Sequence, residues 1–213
     1  PLRTESAAIL AAATFTFAPM HMVNIYVRGD SLSEFWAMGM FPVVLWAIDR
    51  IINRPRPGSI ALLGIVGASV ILSHNISAMI FLPLSAVYGL WMLIPKFRWQ
   101  KFGALAAGGL LAVLLSTWFW LPALAERDTV QTDGRMTEGD FYWGNNFLDE
   151  QLVQSDWAID YASFPPGLGL WQTLLVGSGI VGALVLLARR KKPPSRMMMW
   201  ALLVFGLSVI LTQ

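Results

Sequence analysis

The chain has 213 residues, of which 56% are hydrophobic and only 13% charged. A water-soluble domain carries roughly a quarter charged residues, so these figures exclude an ordinary soluble enzyme and point to a polytopic membrane protein. The net charge of +2 does not argue for nucleic acid, because the bases are dispersed by topology, and with no Cys there is neither a disulfide nor a thiolate metal site.

Seven apolar segments can be drawn, at about 6–24, 34–49, 59–73, 76–94, 102–121, 168–188 and 197–213. Crossing a bilayer takes about 20 residues of helix, so we expect an all-α protein of about seven transmembrane helices. The first segment meets a surface near Pro19, His21 and Asn24. In the loop that follows, Ser31 with Glu34 fits the S-x-x-E capping box that opens a helix. Pro42 lies inside the second segment, where its missing N–H kinks or loosens the helix. The run Asn53-Arg54-Pro55-Arg56-Pro57-Gly58 is basic and stiff, suited to anionic headgroups.

The third segment rises only about 22 Å at 1.5 Å per residue, short of a hydrocarbon core of roughly 30 Å. His74 and Asn75 are therefore expected below the far surface. Asn75 or Ser77 is suited to cap the fourth helix, and Pro83 to bend it. The fifth segment is rich in small residues (Gly103, Ala106, Ala107, Gly108, Gly109, Ala112), which permits close helix approach. It exits through Trp118-Phe119-Trp120-Leu121-Pro122, an aromatic belt ended by a proline.

The stretch from Pro122 to Gly167 holds nine of the thirteen acids but only Arg127 and Arg135 of the fifteen bases. Its aromatic residues, among them Trp143, Trp157 and Phe164, favour a membrane boundary. It is expected to be a long outer loop with short helices laid over the bundle. The organisation is thus 1–121 as five helices, 122–167 as the loop, and 168–213 as two further helices, the last cut short. The chain opens on Pro1 rather than Met and stops after an apolar run, as expected of a piece of a longer protein.

Placing Pro1 in the cytoplasm puts twelve bases in inner loops, among them Arg54, Arg56, Lys96 and Arg190. Only Arg28, Arg127 and Arg135 then fall outside, and the acids run the other way. Cytoplasmic loops of membrane proteins carry the excess of Lys and Arg. The expected topology is therefore Pro1 inside and 122–167 outside.

Polar groups then gather at the outer face in three places: His21, Asn24, Arg28 and Glu34; His74 and Asn75; Glu126, Arg127 and Asp128. Ionisable groups at that depth are costly to desolvate and need partners. Arg28, Arg127 and protonated His74 can hold a phosphate, with Asn75 beside them. Glu34, Glu126 or Asp128 can act as a base toward a sugar hydroxyl. Plainer roles compete for each residue. Glu34 can belong to the capping box, Arg28 can pair with Asp30 or Glu34, and His74 can be a hydrogen-bonded helix-end residue. Glu126-Arg127-Asp128 can be a solvated ion cluster. Two His residues about fifty positions apart give no metal site.

Ala18-Pro19-Met20-His21, Tyr26-Val27-Arg28-Gly29 with Glu34, and Pro42 resemble a bacterial polytopic family. So do Leu72-Ser73-His74-Asn75 with Pro83, and Phe119-Trp120-Leu121-Pro122-Ala123-Leu124 followed by Glu126. The family is the membrane proteins labelled "6-pyruvoyl-tetrahydropterin synthase-related", similar to the GT-C superfamily of polyprenol-linked glycosyltransferases. The resemblance spans roughly Ala18 to Leu152.

It implies a multi-pass protein of the bacterial cell membrane that takes a sugar from a polyprenyl-phosphate donor at the outer face. The principal catalytic acid is then expected upstream of Pro1. It implies no cofactor among these residues, a divalent cation being a matter for the full-length protein. The pterin label does not transfer as chemistry, because the soluble synthase uses three His ligands and this chain has two His. The alternatives are a polytopic lipid or solute carrier, or a non-catalytic subunit that binds polyprenyl lipid.

Overall fold

The computed structural model describes residues 5–26, 31–129, 153–154, 168–169, 174, 177–182, 185 and 195–211. The chain divides into two units. One runs from Gly29 to Val130, and the other combines Pro1–Arg28 with Gln131–Gln213.

In the second of these, the first apolar segment is two helices rather than one: α1 (Glu5–Thr16) and α2 (Pro19–Tyr26). Pro19 has no N–H to continue the α1 ladder but suits the first position of a new helix. Ala18 O starts that helix by accepting from His21 N at 2.9 Å and Met22 N at 3.1 Å. The unit also contains α8 (Arg196–Leu211, 16 residues) and a two-residue parallel pairing of β1 (Val153–Gln154) with β2 (Leu168–Gly169). The expected short helices over 130–152 and 155–167 lie outside the described residues.

The Gly29–Val130 unit is a helix bundle. It comprises α3 (Leu32–Asn53), α4 (Pro57–Ser73), α5 (Asn75–Leu93), α6 (Trp99–Leu115) and α7 (Thr117–Ala125). A 3-10 turn, Ile94–Lys96, follows α5. Side-chain contacts fix the directions of the helices. Trp36 Nε1 donates to Ser69 Oγ at 3.3 Å, so the start of α3 meets the end of α4. Phe41 stacks on Phe81 at 3.8 Å, and Lys96 Nζ donates to Asn53 Oδ1 at 3.1 Å, so α3 and α5 run parallel. Antiparallel neighbours follow from connections this short.

The tightest seam is α4 on α6, which run parallel. A Cβ built on Gly64 would lie 2.5 Å from Leu111 Cδ2, one on Gly108 2.7 Å from Leu63 Cδ2, and one on Gly67 2.8 Å from Ala112 Cβ. The expectation of close approach through the fifth segment is therefore met by Gly108 and Ala112. Gly103 and Gly109 face open space instead. Buried side chains of α3 (Ala37, Val44, Ala47, Ile48, Ile51) recur at helical spacing and complete the core.

Outside the core, large apolar side chains such as Trp36, Ile65, Met79, Leu110 and Trp118 are exposed. An exterior of that kind suits hydrocarbon better than water. Leu32–Asn53 and Asn75–Lys96, 22 residues each, are long and apolar enough to cross a membrane. α6 and α7 together make a third candidate, bent by 63°. Seven spans were expected; among the described residues two helices reach that length, or three with the bent pair, consistent with a membrane protein. α4, with 17 residues, is about 25 Å long and stays short of the core thickness.

The bend corrects the expected end of the fifth segment. Pro122 does not end a helix but lies inside α7, and the break falls at Ser116. There the last carbonyls of α6 are covered by side chains. Ser116 Oγ donates to Ala112 O (2.9 Å) and Val113 O (3.1 Å). Thr117 Oγ1 and Trp120 Nε1 each reach Val113 O at 3.1 Å. A broken helix survives in an apolar setting when side chains satisfy the freed backbone in this way.

Candidate functional site

The register of the helices places the start of α3, the α4–α5 junction and the α6–α7 break at one end of the bundle. Asn53, the 53–57 turn, Lys96 and Trp99 lie at the other. The residues singled out in the sequence for phosphate binding and catalysis belong to the first end, apart from Arg28, which lies outside the described residues.

Glu34 sits half-buried in the first turn of α3. Ser31 occupies the N-cap position, but its hydroxyl makes no capping hydrogen bond, so the expected capping box is not formed. At the next junction the cap is not the one expected either. His74 is the N-cap of α5: its Nδ1 accepts from Ser77 N at 3.2 Å and lies 2.8 Å from Ser77 Oγ. Asn75 Oδ1 accepts from the neighbouring Ile76 N at 2.9 Å. A ring nitrogen that accepts carries no proton, so Nδ1 is the accepting nitrogen in this cap and Nε2 is left to other partners. Sequence reasoning favoured Asn and Ser because their oxygens are the usual caps. Here an imidazole performs the same task.

Glu126 is the C-cap of α7, its N–H donating to Pro122 O at 2.9 Å. Arg127 and Asp128 pair at 3.4 Å with side chains 75% and 90% exposed, the geometry of a solvated ion pair. In the Pro1–Arg28 segment His21 is buried, 6% exposed, with Phe15 edge-on at 4.6 Å. Among the described residues no group of three or more His, Asp and Glu is placed to hold a metal ion.

The opposite end holds a cleft of about 330 Å³ lined by Trp46, Asp49, Arg50, Asn53, Arg54, Arg56 and Ser59. Positions 46, 49, 50 and 53 follow the three- and four-residue spacing of one helix face. The Arg50 guanidinium lies over the Trp46 ring, 4.8 Å from its centroid. Asn53 bridges, donating to Asp49 O at 2.9 Å while its Oδ1 accepts from Lys96. Arg54 closes α3, its N–H donating to Arg50 O at 2.8 Å. Arg56 opens α4, whose first turn carries Pro57 and the buried Ser59 and has no side-chain cap.

The sequence exposed the 53–58 run as basic. It was silent on Trp46, Asp49, Arg50 and Ser59 as partners of that run, although the spacing along α3 was there to be read. No protein-family model, no curated protein and no solved structure matches this chain.

Proposed function

We propose that the chain is part of a GT-C-like membrane glycosyltransferase of the bacterial cell membrane. It takes a sugar from a polyprenyl-phosphate donor at the outer face, in the lipid bilayer. One observation carries the reading: two interruptions of apolar helix, at His74 and at Ser116, occur with the start of α3 at the same end of the bundle. Polar backbone at such depth is tolerated where it lines a cavity or is satisfied by protein. Of the residues that carry the motif resemblance, Glu34 and Leu72-Ser73-His74-Asn75 lie at this end, and Phe119-Trp120-Leu121-Pro122 follows the Ser116 break.

In this reading Arg28, Arg127, His74 and Asn75 hold the donor phosphate. His74 does so through Nε2, because Nδ1 is engaged at Ser77. Glu34 or Glu126 receives the acceptor proton, while the principal acid lies upstream. The end bearing these groups faces outside, and the 53–57 turn with Lys96 faces the cytoplasm.

Proteoliposomes of the full-length protein, given a radiolabelled polyprenyl-phosphate sugar, test the assignment. Transfer to a lipid or saccharide acceptor is expected, with Glu34→Gln or Glu126→Gln lowering it at least about tenfold, as for loss of general-base help. Transport of the intact donor without cleavage would replace the transferase by a carrier. Cysteines placed at 54 and 140 and labelled from the cell exterior test the orientation: position 140 should react and position 54 should not.

A further inference from the structure

We propose that the cleft between α3 and α4, at the basic end of the bundle, binds the phosphodiester headgroup of a membrane lipid through Arg50, Arg54 and Arg56. Three arginines and one acid, Asp49, line the same space of about 330 Å³. That volume falls at the lower end of small-ligand sites, roughly 300–1,000 Å³. Among the described residues, none of the three guanidiniums has a hydrogen bond or an ion pair. Arg50 is held by its face on Trp46, which leaves its in-plane N–H donors for a ligand. Guanidinium forks match phosphate oxygens in pairs, and such charge-assisted bonds are the strong ones.

A second feature points the same way. The N-terminus of α4, a 17-residue helix, opens at this cleft with Pro57 in its first turn and no side-chain cap. Ser59 N and Ile60 N donate to Arg56 O at 2.9 and 3.2 Å, so the first turn offers an anion the Gly58 N–H and the positive end of the helix dipole. The neighbourhood argues for a lipid over a soluble phosphate. Trp46, half-exposed, lies one turn up the apolar α3 from Arg50, the depth at which indoles mark the boundary between headgroup and acyl chain. A phosphate held by the arginines would thus have its acyl chains beside the apolar flank of α3 and α4. The inference concerns the end opposite the one assigned to sugar transfer and stands without that assignment.

Native mass spectrometry of the detergent-extracted protein tests it, titrating dioleoyl phosphatidylglycerol and, separately, glycerophosphoglycerol, the same phosphodiester headgroup without acyl chains. One lipid per protein is expected, with Arg54→Gln and Arg56→Gln each weakening it about tenfold, the effect of losing one charge-assisted bond. Both side chains are exposed and unbonded, so the melting temperature should not move. Arg98 lies at the same end but does not line the cleft, and Arg98→Gln should change affinity less than about twofold by the same arithmetic. Equal weakening by Arg98→Gln would mean diffuse attraction to the basic end and overturns the site. Unchanged affinity in the Arg54 and Arg56 variants overturns it too. Glycerophosphoglycerol binding as tightly as the lipid would overturn the lipid as occupant.

Discussion

Where α4 meets α5 and α6 breaks into α7, His74, Asn75, Ser116, Thr117 and Trp120 direct their polar atoms at backbone within seven residues of themselves. At the other end of the same helices, Arg50, Arg54 and Arg56 line one cleft, and their guanidiniums make no hydrogen bond or ion pair among the described residues. The difference shows that polarity at a helix end has two meanings. Groups engaged in closing the backbone hold the chain's shape, while groups left open by the same chain are free for something else. Counting charged residues does not separate the two; following each donor to its acceptor does.

The strongest way to break this comparison is to disturb what holds both ends in register. Gly64→Ala drives a Cβ against Leu111, whose Cβ, 2.9 Å away, cannot rotate aside. We expect a loss of about 1–3 kcal/mol, the usual cost of overpacking, measured by unfolding in detergent. An unchanged midpoint would mean the α4–α6 seam is not packed as described.

Ser116→Ala comes next. Removing a buried hydroxyl that serves two carbonyls should cost about 1–2 kcal/mol. It should also broaden the distance between spin labels on α6 and α7. A destabilised protein with an unbroadened distance would show that the bend does not depend on this hydroxyl.

His74→Ala should cost about 1 kcal/mol through the lost cap of α5, with faster amide exchange at Ser77. His74→Asn, which restores an acceptor, should recover most of it. Failure of Asn to recover stability would move His74 out of the capping role. The smallest effect is expected at the Arg127–Asp128 pair: Asp128→Ala should shift stability by less than about 0.5 kcal/mol, since both partners are solvated.

The long apolar helices were legible: the segment drawn at 34–49 is α3 with a few residues added at each end, and that at 76–94 is α5 shifted by one residue. Composition decides such elements, because apolar length is what a membrane selects. The breaks were not legible. Pro122 looked like a terminus, yet its missing N–H is absorbed inside α7, and the chain turns at Ser116, where hydroxyl and indole donors converge on Val113 O. Such an arrangement depends on tertiary direction, which no local preference encodes. The same holds for the polar residues. The sequence placed His74 and the 53–58 run at helix ends, but only the fold reveals that His74 is engaged by Ser77 and that the arginines share a cleft with Trp46.

Pro42 and Pro83 lie in α3 and α5, and the rings of Phe41 and Phe81 beside them stack 3.8 Å apart at an interplanar angle of 9°. Each proline removes one rung of its helix, and the two gaps fall at the same storey of the bundle. α4 and α6 have no proline past their first turn. The bundle is therefore mechanically lopsided: two compliant columns jointed at mid-height by a flat pair of rings, beside two stiff ones locked by glycine contacts. A tilt imposed at either end is expected to bend α3 and α5 at that joint before it bends α4 or α6.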